Sequence, residues 1–178
     1  MDSETPLISK TELNDLPAVI SIFEQVLKLS CRPGYRVWEV IDHTAIENDI
    51  KLGLQYKIII GNTIASVFSI QFSDPHIWGQ KDKEEAVYLH RIVTNPQFKG
   101  LHLFENVKAF ATAIALQSGL KFLRMDTWAD NQQLINYYLH SGFRFVGNYT
   151  TGDTLSLPLP NRNLRVALLE MPLLHSIT

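Results

Sequence analysis

The sequence predicts a single α/β domain built on one mixed β-sheet with helices on both faces. The first observation is the order of its periodic segments, β-α-α-β-β-β-α-β-α-β-β, which is too rich in strands and too uneven for a doubly wound sheet. The second is its size and composition, since 178 residues with 46% hydrophobic and 19% charged content are typical of one globular domain with a full core. We therefore expect residues 1–178 to form one domain.

The first half of the chain predicts one strand, two helices and a hairpin. Residues 6–9 are short and apolar, which is typical of an edge strand. A helix with an apolar stripe follows, for which Thr11 is a candidate N-cap, and residues 35–52 predict a second helix. Two β-rich runs then flank Gly61-Asn62-Thr63, which indicates a β-hairpin.

The centre of the chain predicts a strand, a short basic loop and a helix. Residues 74–85 precede it as a polar loop, and the charge run within that loop, residues 81–85, is interpreted as solvated and without chemistry. Residues 88–93 have strand composition, Asn95-Pro96 turns the chain, and residues 101–118 have helical spacing. A helix start leaves N–H groups unpaired and carries a partial positive charge, so it favours a phosphate, although an ordinary βα connection is the alternative.

The remaining segments complete the predicted sheet. Residues 121–127 predict a strand and residues 132–141 a helix. Residues 143–146 and 165–171 predict two further strands, and residues 148–163, rich in Thr, Pro, Asn and Gly, predict a long loop between them.

Composition excludes several classes of partner. The formal net charge of -2 gives no reason to expect nucleic acid or an anionic membrane. Cys31 is the one cysteine, so no intramolecular disulfide forms, and no Cys/His cluster has zinc spacing. We therefore expect no metal. The acidic N-terminus is unlike a secretory signal and no apolar run has the length of a membrane span, so we expect a cytoplasmic protein.

Two segments carry a resemblance to a known family. Residues 90–100 read His-Arg-Ile-Val-Thr-Asn-Pro-Gln-Phe-Lys-Gly, and residues 126–131 read Asp-Thr-Trp-Ala-Asp-Asn. The second segment is followed by Tyr138-Leu-His-Ser-Gly142-Phe143. At this separation they resemble the fourth strand, the Gln/Arg-x-x-Gly-x-Gly/Ala pyrophosphate loop, the Asn and the Tyr-x-x-x-Gly-Phe of the GNAT superfamily of acyl-CoA-dependent N-acetyltransferases. The order of elements matches that family over nearly the whole chain.

The resemblance implies acetyl-CoA as the co-substrate. Its pantetheine arm would run between the strand ending at Val93 and the strand 121–127, bonded by backbone groups of Ile92 and Val93. Asn131 would hold the arm from the other side, or act only as a helix N-cap. The resemblance places the pyrophosphate on the loop that contains Gln97, Phe98, Lys99, Gly100, Leu101, His102 and Leu103. Of these residues, we expect Phe98, Gly100, Leu101, His102 and Leu103 to offer backbone N–H groups.

His102 departs from the family pattern. The last Gly/Ala of the pyrophosphate loop falls on this residue. Its side chain would crowd the pyrophosphate, donate a hydrogen bond to it, or simply lie exposed on a first helical turn.

The chemistry of amine acetylation assigns roles to three residues. The amine must lose a proton, the leaving thiolate benefits from gaining one, and a backbone N–H such as that of Val93 would stabilise the oxyanion. The resemblance implies that Tyr138, also next to the cofactor, is the acid, with core packing as the alternative. Glu85 and His90 are candidate bases, although a regular strand would send them to opposite faces unless a bulge intervened, and a structural role for His90 is equally open.

We therefore expect an enzyme that transfers an acetyl group to a primary amine, most readily of a small molecule, by direct attack without an acyl-enzyme. Arg32, Tyr35 and Trp38 are candidates to line the acceptor pocket. The alternatives are a domain that binds CoA or a metabolite without catalysis, and an enzyme acting on a protein amine. The long loop and the last strand offer a surface for a homodimer.

Overall fold

A computed structural model describes residues 5–30, 40–83, 85–155, 157 and 161–173. These residues group into two compact units. The first unit comprises the chain up to Ile70 together with Arg91–Lys108, and the second comprises Gln71–His90 and the chain from Ala109 onward. One domain over residues 1–178 stays a prediction.

Three strands begin the first unit. β1 (Leu7–Lys10) is antiparallel to β2 (Gln55–Ile60), and β2 is antiparallel to β3 (Thr63–Gln71). Gly61 lies in the turn between β2 and β3 with φ of 61°, a conformation that glycine adopts without steric cost. The predicted hairpin is confirmed.

The first helix, α1 (Leu16–Ser30), starts later than its predicted cap. A 3-10 turn precedes it, and Glu12 and Asp15 cap that turn by bonding each other's backbone N–H groups. The backbone N–H of Thr11, the predicted cap, donates instead to the carbonyl oxygen of Gln55 on β2 at 3.0 Å. Thr11 therefore belongs to the strand side of the turn, and its prediction as N-cap is wrong.

The second helix, α2, spans His43–Lys51, whereas the prediction was 35–52. Residues 35–39 of the predicted helix lie outside the described residues. Asp42 caps α2, because its carboxylate accepts a hydrogen bond from the backbone N–H of Ala45 at 2.9 Å. The apolar faces of α1 and α2 pack against the strands and form the core of this unit. Its buried residues are Val19, Ile22, Phe23, Ile46, Ile50, Val67 and Val93.

The second unit carries the remaining strands. β4 (Ala86–Thr94) begins there and runs parallel to β5 (Phe122–Trp128), with Leu89 opposite Met125. β7 (Arg165–Pro172) is antiparallel both to β5 and to β6 (Arg144–Thr150). The predicted loop from residue 148 is wrong at its start, because backbone pairing with β7 continues β6 through Thr150.

Among the described residues, seven strands form one sheet in the order β1-β2-β3-β4-β5-β7-β6. Parallel and antiparallel pairs both occur, so the predicted mixed α/β class is confirmed. The helices not yet named are α3 (Pro75–Trp78), α4 (Phe104–Gln117) and α5 (Gln132–His140). α4 begins after the predicted Leu101, because His102 has φ of 52° and cannot be helical.

The polar loop of residues 74–85 is anchored by Asp82, which belongs to the charge run predicted to be solvated. One carboxylate oxygen of Asp82 accepts hydrogen bonds from the hydroxyl of Ser73 and from the backbone N–H of Asp74, each at 2.8 Å. The other accepts from the hydroxyl of Tyr88 on β4 at 2.7 Å. Asp82 thus ties the start of this loop to β4.

Arg124 on β5 is the centre of a buried polar network in the second unit. Its Nε donates to Glu170 at 2.8 Å, and its Nη1 donates to the hydroxyl of Tyr88 at 3.1 Å and to the carbonyl of Lys81 at 2.7 Å. The guanidinium carbon also lies 4.7 Å from the ring centroid of Trp78, within cation–π range. The sheet and the preceding loop are therefore joined through one charged side chain.

Arg91 interrupts the extended backbone of β4. Its φ of 50° is left-handed, which costs an L-residue roughly 1–2 kcal/mol. Its guanidinium binds the buried carboxylate of Asp49 on α2, with Nε at 3.1 Å from Oδ2. The interruption comes after His90, so it does not bring Glu85 and His90 to the same face of the strand.

Within the described residues, no helix has both the length and the apolar character that a membrane crossing requires.

Candidate active site

Asn95 fixes the start of the predicted pyrophosphate loop in the first unit. Its backbone N–H donates to the carbonyl of Ala65 at 2.9 Å, and its side-chain amide donates to the carbonyl of Ile64 at 3.0 Å, both on β3. Its amide oxygen accepts from the backbone N–H of Gln97 at 3.1 Å. Sequence reasoning gave Asn95 no role beyond a turn, although Asn before Pro is a known signal for such local bonding.

Two of the five N–H groups predicted to face a pyrophosphate are used inside the loop. The N–H of Phe98 donates to the carbonyl of Asn95 at 2.9 Å, and that of Leu101 donates to the carbonyl of Phe98 at 3.3 Å. The other three N–H groups belong to Gly100, His102 and Leu103. Within the described residues, none of them donates a hydrogen bond to another group of the protein. The donor set is thus smaller than predicted. The side chains of Gln97 and Lys99 are exposed beside it.

The departure at His102 falls on a left-handed backbone position. Gly100 has φ of 93° and His102 has φ of 52°, so both loop positions where the family pattern has Gly or Ala keep positive φ. Histidine is among the non-glycine residues enriched in this region. Its side chain is exposed. Histidine at this position therefore carries the conformational cost of a positive φ and gains no packing in the core.

Replacing His102 by Gly and by Ala separates the backbone conformation from the imidazole. Both variants lack the ring, but only His102→Ala keeps a Cβ in the left-handed region. We expect the glycine variant to be more stable than the alanine variant by about 1 kcal/mol, because alanine pays the left-handed penalty. Urea denaturation measures the difference, and an alanine variant of equal or greater stability would contradict the positive φ.

β4 leads into this loop through Ile92 and Val93. Val93 is buried, and its carbonyl oxygen accepts a hydrogen bond from the hydroxyl of Ser66 on β3 at 2.9 Å. That carbonyl is therefore already engaged. The roles of Ile92 and Val93 toward a pantetheine arm, and of the Val93 N–H toward an oxyanion, stay predictions.

The second unit brings three acid–base side chains together, and we call Asp74, His90 and Asp126 the Asp-His-Asp cluster. One donor atom from each lies within 4.8 Å of the donor atoms of the other two. Nε2 of His90 is 3.5 Å from Oδ2 of Asp74. His90, one of the predicted bases, thus lies between two carboxylates.

Backbone structure explains this convergence. His90 follows Leu89 on β4 and Asp126 follows Met125 on β5, and Leu89 and Met125 are opposite each other in the parallel ladder. Asp74 immediately precedes α3, where Asp82 holds its backbone N–H. The three residues are therefore positioned by two adjacent strands and one anchored turn.

Burial alters the titration of this cluster. It raises the pKa of the Asp126 carboxyl to about 7, and the nearby charge of Asp74 raises this pKa further. Asp126 is thus close to half-protonated at neutral pH, and the cluster can accept or release a proton there.

Tyr138 on α5 is electrostatically coupled to the cluster. Its side chain is only 8% exposed, and its ring packs edge-on against Phe143 with centroids 6.4 Å apart. Burial raises the pKa of its hydroxyl, and the charges of Tyr137 and Asp126 raise it further. Tyr138 therefore keeps its proton throughout the working range of pH, as a hydrogen-bond donor must.

Asn131 acts as the N-cap of α5. Its amide oxygen accepts from the backbone N–H of Leu134 at 3.0 Å. This cap orients the helix on which Tyr138 lies. A contact of Asn131 with a pantetheine arm stays a prediction.

Glu85, the other candidate base, lies in a different set of contacts. Its carboxylate oxygens are 3.4 Å from Nζ of Lys121 and 3.5 Å from Nη2 of Arg124. Two cations thus hold Glu85 at the start of β4. These contacts favour a structural role for Glu85, and the role of either residue as a base stays a prediction.

The predicted acceptor residues Arg32, Tyr35 and Trp38 lie outside the described residues, and their role stays a prediction. Sequence reasoning missed Asp74 and Asp126 as site residues. Asp126 stood within a quoted motif, but only the parallel pairing of β4 and β5 places it beside His90.

No family model matches the sequence. An uncharacterized N-acetyltransferase of Bacillus subtilis, YesJ, is 31% identical over 84 residues. That match covers 44% of this chain and 44% of the relative, so less than half of either protein is compared.

Solved structures resemble the chain over nearly its whole length. A GNAT-family acetyltransferase from Listeria monocytogenes has a TM-score of 0.74 at 21% identity, covering 94% of this chain and 95% of that chain. PaiA N-acetyltransferase from Thermoplasma acidophilum, solved in complex with coenzyme A, has a TM-score of 0.68 at 14% identity, covering 94% of this chain and 99% of that chain. The likeness shows that the chain has the GNAT fold, which confirms the fold that the sequence resemblance implied.

Proposed function

We propose that this chain, which has the GNAT fold, is an acetyl-CoA-dependent N-acetyltransferase acting on the primary amine of a small molecule. The observation that carries the proposal is the coupling of a buried tyrosine, Tyr138, to the Asp-His-Asp cluster. Tyr138 keeps its proton, and one neighbouring carboxyl, that of Asp126, exchanges its proton near neutral pH. Acyl transfer from a thioester to an amine needs both functions.

In this proposal, the loop residues hold the cofactor phosphates. The N–H groups of Gly100, His102 and Leu103 and the charge of Lys99 are suited to a pyrophosphate. Acetyl-CoA supplies the activated acetyl group. Its binding by this chain is supported by the fold and by the coenzyme A complex of one structural neighbour.

The residues of the second unit carry the proton transfers. The amine nitrogen bonds to the acetyl carbon, and the carbon–sulfur bond breaks. His90 accepts the proton that the nitrogen releases, and Asp74, 3.5 Å away, stabilises the resulting imidazolium. Tyr138 donates its hydroxyl proton toward the departing sulfur, which leaves as a thiol, and direct attack needs no acyl-enzyme.

A panel of amines with acetyl-CoA and thiol detection tests the function. We expect thiol release with at least one small primary amine and none without an amine. Transfer only to peptide N-termini or lysines would establish the protein-amine alternative. Coenzyme A that raises the melting temperature, together with no transfer to any amine, would favour a binding domain without catalysis.

Gly100→Glu tests the cofactor loop, with Gly100→Ala as its control. No atom within 4 Å obstructs a Cβ at Gly100, but φ of 93° strains any side chain, so both variants carry the same backbone penalty. The glutamate adds a negative charge beside the pyrophosphate. We expect it to bind coenzyme A more weakly than the alanine variant by on the order of 1–3 kcal/mol.

Titration calorimetry with coenzyme A measures this difference in binding free energy. The midpoint of urea unfolding, recorded without cofactor, checks that both variants are folded to the same extent. Equal affinities would place the pyrophosphate elsewhere on the protein.

A further inference from the structure

We propose that the Asp-His-Asp cluster is a binding site for a divalent transition-metal cation, with zinc as the preferred ion. The cluster offers one imidazole nitrogen and two carboxylate oxygens. Zinc takes such nitrogen and oxygen ligands, and in open sites it uses three protein ligands plus water. No sequence motif indicated the site, because its ligands, Asp74, His90 and Asp126, come from distant parts of the chain.

The spacing of the donor atoms suits this ion. Ligands at 2.0–2.2 Å from a tetrahedral zinc lie about 3.4 Å from one another. Nε2 of His90 and Oδ2 of Asp74 are already 3.5 Å apart. All three donor atoms fall within 4.8 Å of one another, so the carboxylate of Asp126 is within reach of the same ion.

Burial and charge favour a cation in the same place. Asp74 is 8% exposed, and Oδ2 of Asp74 and Nε2 of His90 are inaccessible to solvent, so the donor atoms of the cluster are recessed from the surface. Binding of the cation requires Asp126 to be ionised, and two ionised carboxylates beside a neutral imidazole then carry a formal charge of two negatives. A divalent cation balances that charge without leaving a surplus.

The consequence for the enzyme rests on the proposed function. Zinc would bind Nε2 of His90, and that nitrogen would no longer accept a proton from the amine. We therefore expect zinc to inhibit acetyl transfer, and a chelator to restore it. Metal binding itself does not depend on the protein being an acetyltransferase.

Metal binding is tested on the full chain, freed of any purification tag, by calorimetric titration with zinc chloride in the absence of coenzyme A. We expect saturable binding that Asp126→Asn and His90→Gln each weaken by at least about tenfold. His76→Gln is the matched control, since His76 is an exposed histidine in the same unit, and we expect its binding to equal that of the original chain. Circular dichroism melts without zinc verify that each variant is folded.

Cobalt(II) provides a second reading of the same site. Tetrahedral coordination gives strong visible absorption bands, which we expect in the original chain and in His76→Gln but not in His90→Gln. Absence of zinc binding by the original chain would overturn the proposal, whatever the variants do. Binding that survives unchanged in both Asp126→Asn and His90→Gln would also overturn it, because the ligands would then lie elsewhere.

Discussion

Tyr138→Phe is expected to lower the turnover rate by roughly 10²–10⁴-fold, because it removes the proton donor and keeps the ring. The ring packs against Phe143, and phenylalanine preserves that contact. Folding and coenzyme A binding should therefore change little, and the loss should appear in kcat more than in KM. Steady-state kinetics with an amine from the panel measures both.

Tyr137→Phe is the control for this substitution. Tyr137 is the preceding residue on α5 but is 40% exposed, so its hydroxyl is not placed for the reaction. We expect nearly full turnover in this variant. Full turnover in Tyr138→Phe as well would reduce Tyr138 to a packing residue and remove the main support for catalysis here.

Arg124→Ala is expected to destabilise the fold by about 3 kcal/mol, since it leaves a buried carboxylate without its main partner. Arg124 and Glu170 have side chains only 5% and 8% exposed, so water cannot replace the lost guanidinium. The substitution also removes the hydrogen bonds to Tyr88 and Lys81. The free energy of unfolding in urea measures the effect.

Arg144→Ala provides a matched comparison on the same carboxylate. Arg144 also binds Glu170, at 2.7 Å, but its side chain is 62% exposed. An exposed ion pair contributes about 1 kcal/mol or less, so this variant should unfold close to the original midpoint. Similar losses in the two variants would mean that burial does not govern this network.

Structures that depend on neighbouring residues, such as turns and helix caps, were predicted from the sequence. The hairpin around Gly61 and the cap of α5 at Asn131 were predicted because turn and cap chemistry acts over two to three residues. The start of α4 was misplaced for a related reason. Helical spacing continued back to Leu101, whereas the backbone conformation of His102 was not visible in the apolar pattern.

The candidate site was only partly predictable, because its parts meet through pairing of distant segments. Tyr138 and His90 were found through resemblance and chemistry. Asp74 and Asp126 become neighbours of His90 only when β4 and β5 pair and Asp82 folds the intervening turn. The charge run that contains Asp82 was predicted to be solvated. Its composition does not distinguish a carboxylate that accepts hydrogen bonds from the protein from one that is hydrated.

The anchoring by Asp82 bears on how the protein responds to heat. Ser73 and Asp74 are tied through that carboxylate to Tyr88, and Tyr88 in turn is tied to Arg124. A segment held this way should melt together with the strands and not before them. On gradual warming, we expect acetyl transfer to persist until the whole fold is lost, so that the inactivation and unfolding curves coincide.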